Sequence, residues 1–318
     1  MNVVFFASDG FDYSTSQMVE GLHLLSKNGE VNLKSTQSNP HHGAQVGDLT
    51  AVSDEEALDN IGWADILIFS SGGNMTCWSP KVEGAFEDPA HCKKRVFLDG
   101  HDGDGLLTPN GYTLLYFKRE MRMPQCHRSA TWHNVRSMPF GVYKFLLDGL
   151  DKDYDHEWLK RTTDVSFIAF GGSNPIRQEC SKYLQSSDWD GMDVNVMAPD
   201  DRQPLEIDEY RAAMRSTKVG VSVHGAGLDT LRFWETPGFG AVLASSDITP
   251  NLWMRDAPEG HRHCIYFDSW NHLREHVRSV VCNKDRWMQM RRASDKWLTR
   301  NSTQSRARHL LEMCEEAL

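Results

Sequence analysis

A chain of 318 residues with 40% hydrophobic and 25% charged residues is too long for one ordinary core and suits two domains of about 150 residues each. That balance excludes a disordered chain, and the absence of any run of about 18 apolar residues excludes a transmembrane helix. The net charge of −10 is spread over both halves, with 12 Lys and Arg against 18 Asp and Glu in residues 1–150 and 22 against 26 beyond, which argues against a broad nucleic-acid surface.

Val3-Val-Phe-Phe6 is a short apolar run closed by the turn Ser8-Asp9-Gly10, and Ser14 to Ser26 follows with Met18, Val19, Leu22 and Leu25 at helical spacing. With no basic residue ahead of it, the first run reads as a strand rather than a signal peptide, so the expected location is the cytoplasm. Val31 to Leu33, Ala64 to Phe69, Arg95 to Leu98 and Tyr112 to Phe117 supply further strands, and Asp54 to Asn60 a short helix. A second series starts at Val165 to Phe170, passes through Gly171-Gly172-Ser173 into a helix from Pro175 to Leu184, and continues as strand Val194 to Met197, a helix at Tyr210 to Arg215, strand Val219 to Val223, helix Asp229 to Glu235 and strand Ala241 to Ala244. Short apolar strands alternating with helices predict parallel sheets wrapped by helices, hence an α/β protein of two Rossmann-like lobes with a cleft between them. The expected division is a first lobe at 1–142, a Pro-, Gly- and charge-rich linker at 143–163, a second lobe at 164–300 and a C-terminal helix at 301–318, with Ser269, Asn283 and Asn301-Ser302 as helix starts in the tail.

Seven scattered cysteines without a C-x-x-C pair read as buried thiols of a reducing compartment. The compact group His261-Arg-His263-Cys264 has no second cluster to complete a metal site and reads as structural.

The stretch Val219 to Asp247 carries most of the functional signal. Its strand, glycine loop, helix and strand place the backbone amides of Gly225-Ala226-Gly227 where a diphosphate is held at a helix start, and Glu235 where a carboxylate accepts hydrogen bonds from a ribose. The structural alternative for Glu235 is a cap or an ion pair with Arg232. Arg177, just after Gly171-Gly172-Ser173, and Arg232 are candidates for bidentate pairing with phosphate oxygens, with exposed helix arginines as the alternative; His224 and Asp229 are nearby polar candidates.

Asp164-Val-Ser-Phe, Gly171-Gly172-Ser173 with Arg177, Tyr210 to Lys218, Gly227-x-Asp229-x-x-Arg232-x-x-Glu235 and Gly240 to Asp247 together resemble the nucleotide-sugar glycosyltransferases of the GT-B fold, particularly bacterial group 1 enzymes and their spore-coat-like relatives. Val96-Phe-Leu-Asp99-Gly-x-Asp102, Tyr116 to Glu120 and Pro139 to Val142 add weaker likeness. The resemblance implies a ribose on the carboxylate placed like Glu235 and a diphosphate facing Gly225-Ala226-Gly227. It also implies a co-substrate rather than a cofactor, with no tightly bound metal. This chain departs from the E-x7-E pattern of retaining members, since Gly227 stands eight residues before Glu235.

The acidic loop Asp99-Gly-His101-Asp102-Gly-Asp104 matches D-x-D, a carboxylate pair suited to Mn²⁺ or Mg²⁺, although the two-lobed layout implies leaving-group stabilisation by amides and basic residues instead. Asp9, His101 and Asp102 are the candidates for a general base toward the acceptor. Lys118-Arg119, then Arg122, Arg128 and Arg136 with Trp132 and His133, offer charge neutralisation or stacking, with packing of a lobe edge as the alternative. Between Lys284 and Arg308, eight cations (Lys284, Arg286, Arg291, Arg292, Lys296, Arg300, Arg306, Arg308) face two acids, a candidate contact for DNA or the inner membrane face if not a solvated helix face.

The leading expectation is an enzyme that moves a sugar from a nucleotide-diphosphate donor to a hydroxyl of a glycan, lipid-linked sugar, small molecule or protein. Transfer onto a modified DNA base and a non-catalytic nucleotide-binding module are the alternatives. A nicotinamide oxidoreductase is set aside, because Ser8-Asp9-Gly10-Phe11 follows the first strand where G-x-G-x-x-G belongs.

Overall fold

The computed structural model describes residues 1–7, 12–37, 49–71, 78–102, 106, 113–121, 134–198, 206–248 and 252–318. The chain forms two α/β units. The first comprises Met1–Phe145, Asn251–Arg255 and Asn301–Leu318, the second Leu146–Pro250 and Asp256–Arg300.

The first unit has a six-stranded parallel sheet in the order β2-β1-β3-β4-β5-β6: β1 (Asn2–Phe6), β2 (Asn32–Ser35), β3 (Ile66–Ser71), β4 (Arg95–Asp99), β5 (Leu115–Lys118) and β6 (Val135–Ser137). Period-two alternation sorts the buried strand residues onto two faces. Val3 and Phe5 pack with Met18, Val19, Leu22 and Leu25 of helix α1 (Tyr13–Lys27), while Val4 and Phe6 pack with Leu67, Phe69, Phe97 and Val82. A sheet covered on both sides needs apolar runs rather than alternation, hence the uninterrupted Val-Val-Phe-Phe.

The second unit repeats the plan with five parallel strands in the order β11-β10-β9-β7-β8: β7 (Thr163–Ile168), β8 (Val194–Met197), β9 (Thr217–Ser222), β10 (Val242–Ser246) and β11 (Cys264–Phe267). Both sheets reverse their strand order once, between β1 and β3 in the first and between β7 and β9 in the second. In open parallel sheets the loops diverge at that switch point and leave a crevice at the carboxyl ends of the strands.

The stretch expected as a linker carries two short helices, Lys144–Asp148 and Tyr154–Lys160, and Trp158 packs against the core of the second unit. Expected starts recur in the tail: the Ser269 hydroxyl accepts the His272 amide at 3.3 Å, and Asn283 Oδ1 accepts the Arg286 amide at 3.0 Å. The final helix, Thr303–Ala317, packs on α1 within the first unit, where a Cβ on Gly21 would lie 2.8 Å from Ala307 Cβ. Among the described residues no helix is long and apolar enough to cross a membrane.

Burial and neighbouring charges favour the neutral form of three histidines. Burial pushes His263 below the usual imidazole range, and its Nδ1 accepts the Glu259 amide at 2.9 Å. Burial, then the His272 and His261 rings at 4.2 and 4.7 Å, lowers His276. Burial and then Arg255, whose guanidinium meets the ring, lowers His309. A depressed imidazole contributes stability that is present above the unfolded-state value, about 6.5, and is lost as pH falls below it. The melting temperature is therefore expected to fall as the pH drops below about 6.5. His276→Gln is expected to flatten that slope in a pH series of thermal melts.

Candidate functional site

The switch point of the second unit gathers the loops after β7 and β9. After β7 the chain makes a 3₁₀ turn at Gly171–Ser173, and Asn174 caps helix Pro175–Leu184 by accepting the Ile176 amide at 3.1 Å. The other end of the Asn174 amide donates to the Gly225 carbonyl at 2.9 Å and ties the two loops together. Arg177, in the first turn of that helix, donates from Nη1 to Ser173 Oγ at 2.7 Å and to the Phe170 carbonyl at 3.2 Å, so its guanidinium turns back over the loop. A Cβ at Gly225 would lie 2.6 Å from Arg177 Nη2. The Gly225 amide closes a turn onto the Gly227 carbonyl at 3.1 Å, and the amides of Ala226 and Gly227 donate to no acceptor among the described residues.

Arg177 is half-buried, and no carboxylate pairs with it among the described residues. Burial, then the neighbouring Arg232 guanidinium, pushes it down to about 10. A partly desolvated cation beside another cation calls for an anion. Gly225→Ala is thus expected to displace the guanidinium and weaken nucleoside-diphosphate binding about tenfold while the melting temperature holds, since the obstructed atom is the far end of a flexible side chain. Calorimetric titration beside a thermal melt checks both halves.

The second-loop helix runs Leu231–Gly238, with Thr230 at its N-cap, rather than starting at Asp229. Residues 228–230 therefore separate Gly225-Ala226-Gly227 from the first helical turn, and any anion contact made by this loop belongs to its own amides more than to the helix dipole. Glu235 lies in the second turn and is buried. Its Oε2 accepts the Tyr210 hydroxyl at 2.6 Å and Arg232 Nη1 at 2.9 Å, so the ion pair named as the structural alternative is present. Arg232 also donates from Nε to the Ile168 carbonyl at 2.9 Å and lies 4.5 Å over the Tyr210 ring. Burial, the largest cause, pushes the Tyr210 phenol well above its ordinary value, so the hydroxyl stays a donor. Tyr210, read from sequence only as part of a helix, sits on the buried face of Ile207–Arg215; a buried tyrosine needs a partner for its hydroxyl, and that is the signal that points to it. Asp229 accepts Trp234 Nε1 at 2.7 Å, an attachment to its own helix, and His224 is half-buried at the start of the loop.

In the first unit, Asp99 at the end of β4 is fully buried and accepts the Tyr116 hydroxyl at 2.6 Å, Lys118 Nζ at 3.2 Å and the His101 amide at 2.9 Å. Lys118 also donates to the His101 carbonyl at 3.3 Å, so it neutralises Asp99 inside the unit instead of facing an external phosphate. Asp102 is exposed and ion-paired with Arg119, which also donates to the Gly100 carbonyl at 3.0 Å and lies 4.6 Å over Phe140. Both ends of the His101 peptide are thereby pinned, while its buried Nδ1 has no hydrogen-bond partner among the described residues. Asp9, Asp104, Arg122, Arg128, Trp132 and His133 lie outside the described residues; Arg136 is half-buried.

The basic stretch at the tail divides. Arg291 and Arg306 are buried on Asp295 and Asn301, Lys284 pairs with Asp155, and Arg308 pairs with Glu30. Its last two cations belong to the first unit and the others to the second. Only Arg292, Lys296 and Arg300 form an exposed stripe, at spacing i, i+4, i+8 on one helix.

Residues 156–312 match a family described as glycosyl transferase-like. No curated protein matches the chain. Among solved structures, an alpha-glucosyltransferase in complex with UDP aligns with TM-score 0.69 at 12% identity over 99% of this chain and 100% of its own. An alpha-glucosyltransferase in complex with UDP-glucose and DNA containing an abasic site gives 0.67 at 11% over 99% of both chains. HepE of Anabaena in complex with UDP and glucose gives 0.55 at 10% over 99% of this chain and 100% of its own. The chain has the α/β fold of the GT-B glycosyltransferases, and the residues that match the glycosyl transferase-like family lie mostly in the second unit.

Proposed function

We propose that the chain is a glycosyltransferase that takes a sugar from a nucleotide-diphosphate donor, with UDP-sugars the first class to test, and passes it to a hydroxyl acceptor. The observation that carries the reading is the pair Arg177 and Arg232 with the open amides of Ala226 and Gly227, all at the switch point of the second unit. In this reading the cations and amides hold the diphosphate and stabilise it as it leaves, and no tightly bound metal is required. Glu235 takes the ribose, and Gly171, Gly172 and Ser173 form the floor of the site. UDP in the solved neighbours of the same fold supports that donor class. The pattern Gly227-x-Asp229-x-x-Arg232-x-x-Glu235 favours the group 1-like and spore-coat-like bacterial enzymes within the fold. The buried thiols Cys180, Cys264 and Cys314 suit a reducing compartment, and the reading places the enzyme in the cytoplasm.

The acceptor is assigned to the first unit. Of the three base candidates, His101 is favoured: its backbone is pinned, its Nδ1 has no partner among the described residues, and Asp102 is already neutralised by Arg119. His101→Gln is expected to lower transfer about a hundredfold with donor affinity unchanged, measured by product formation beside calorimetry. A DNA or membrane-surface acceptor finds little support, because three exposed cations make a weak electrostatic footprint.

Calorimetry of UDP, GDP, ADP and TDP, with and without EDTA, tests the donor reading. One of the four is expected to bind in both conditions, and its sugar to turn over on the isolated chain. A folded protein that binds none would refute the reading, and binding without turnover would favour the non-catalytic module.

A further inference from the structure

Tyr210 and Arg232 place their protons on the same oxygen of Glu235. The Tyr210 hydroxyl meets Oε2 at 2.6 Å and Arg232 Nη1 meets it at 2.9 Å, while Oε1 accepts no bond from any described residue. The Glu235 side chain keeps 11% of its surface exposed, so the carboxylate is not sealed. Rotation of the carboxylate is opposed from two directions. Tyr210 is buried and braced edge-on against Phe239 at 5.6 Å, and Arg232 is itself anchored by the Ile168 carbonyl and stacked on the Tyr210 ring.

We propose that Tyr210 and Arg232 make Glu235 a reader of a single ribose hydroxyl, contacted through Oε1, with Tyr210 as the positioning residue that fixes which hydroxyl is read. The proposal rests on the ribose role given to Glu235 above. An unpinned carboxylate offers two equivalent oxygens and grips adjacent hydroxyls together. One whose Oε2 already accepts two strong donors has its best remaining acceptor on Oε1. Loss of the hydroxyl that faces Oε1 then costs a hydrogen bond to a charged group, whereas loss of its neighbour costs little.

The test compares, on the whole chain, whichever of UDP, GDP and ADP binds best with its 2′-deoxy and 3′-deoxy forms. One of the two deoxy forms is expected to lose affinity by about tenfold or more, the other by less than about threefold. Tyr210→Phe keeps the ring under Arg232 and removes only the hydroxyl; it is expected to bring the two deoxy forms within about threefold of each other, a change that a purely structural role would not produce. Arg232→Lys, which leaves the buried phenol in place, is expected to narrow the difference in the same direction and keeps the test decisive where Tyr210→Phe melts early. Equal losses for both deoxy forms, no loss for either, or a difference unchanged in both variants would overturn the proposal while leaving diphosphate binding intact. Absence of binding by every parent diphosphate is the separate result that removes the donor reading.

Discussion

Arg177→Ala is expected to lower donor turnover by about a hundredfold or more and to leave the melting temperature unchanged or slightly raised. The two halves of the result have one cause. The folded chain holds this guanidinium partly buried, beside Arg232, and among the described residues it donates only to Ser173 Oγ and the Phe170 carbonyl. Burial and a like charge disfavour its protonated form, so the fold gains little by keeping it. A diphosphate reverses that balance, because its oxygens accept the guanidinium fork and its charge cancels the repulsion. As the glycosidic bond breaks, charge grows on the diphosphate, so the contact strengthens toward the transition state and its loss appears in kcat as well as in KM. Arg177→Lys, with charge but no fork, is expected to fall between the two. Steady-state kinetics with the preferred donor and a thermal melt of each variant check this; turnover within about threefold of the parent chain would remove Arg177 from the site.

The strand and helix rhythm was legible because both sheets are parallel and covered on both faces, which forces apolar runs such as Val3 to Phe6 and Val165 to Phe170, the latter broken only by Ser166. Two edge strands, β6 and β11, were not read, although β2 and β8 at the opposite edges, of four residues each, were; β6 has only three residues, too few for a period to register. Helix Pro80–Glu87 had a readable start, Ser79 followed by Pro80 at N1, and was passed over because only Val82 is buried on it. The return of Thr303–Ala317 to the first unit depends on Gly21 and Ala307 meeting across the chain, a contact no local pattern announces.

The site divides in the same way. Residue types were readable at Arg177, Arg232 and Glu235, since a glycine-rich loop after a strand and a carboxylate on the next helix carry a local signal. Their partners were not. Asn174 reaches Gly225 across 51 residues because β7 and β9 are neighbours in the sheet, and Tyr210 reaches Glu235 across 25 from the helices before and after β9. The charge run from Lys284 to Arg308 misled for a related reason: formal charge counts every cation, while folding buries Arg291 and Arg306 and pairs others with acids from distant segments.

Glu235 variants are expected to separate binding from stability. Alanine removes the acceptor of a buried phenol and the partner of Arg232, and a buried donor left unsatisfied costs about 1–3 kcal/mol. For a chain of this size that is a fall of about 1.5–5 °C in melting temperature. Such a fall alone would be equally expected of an ion pair with no other duty. The discriminating measurement is affinity well below the melt, where Glu235→Ala remains folded: a structural carboxylate leaves nucleoside-diphosphate binding nearly unchanged, whereas a ribose-binding one loses about tenfold or more. Glu235→Gln sharpens the contrast. Its side-chain oxygen can still accept the Tyr210 hydroxyl, but the ion pair with Arg232 is lost, and the amide nitrogen presents a donor where a ribose hydroxyl presents its own. Weakened affinity with a melt close to that of the parent chain is therefore the expected signature of Glu235→Gln. The reverse, a lowered melt with undiminished affinity in both variants, would return Glu235 to the framework of the helix and leave nucleotide binding to the cations and the loop amides.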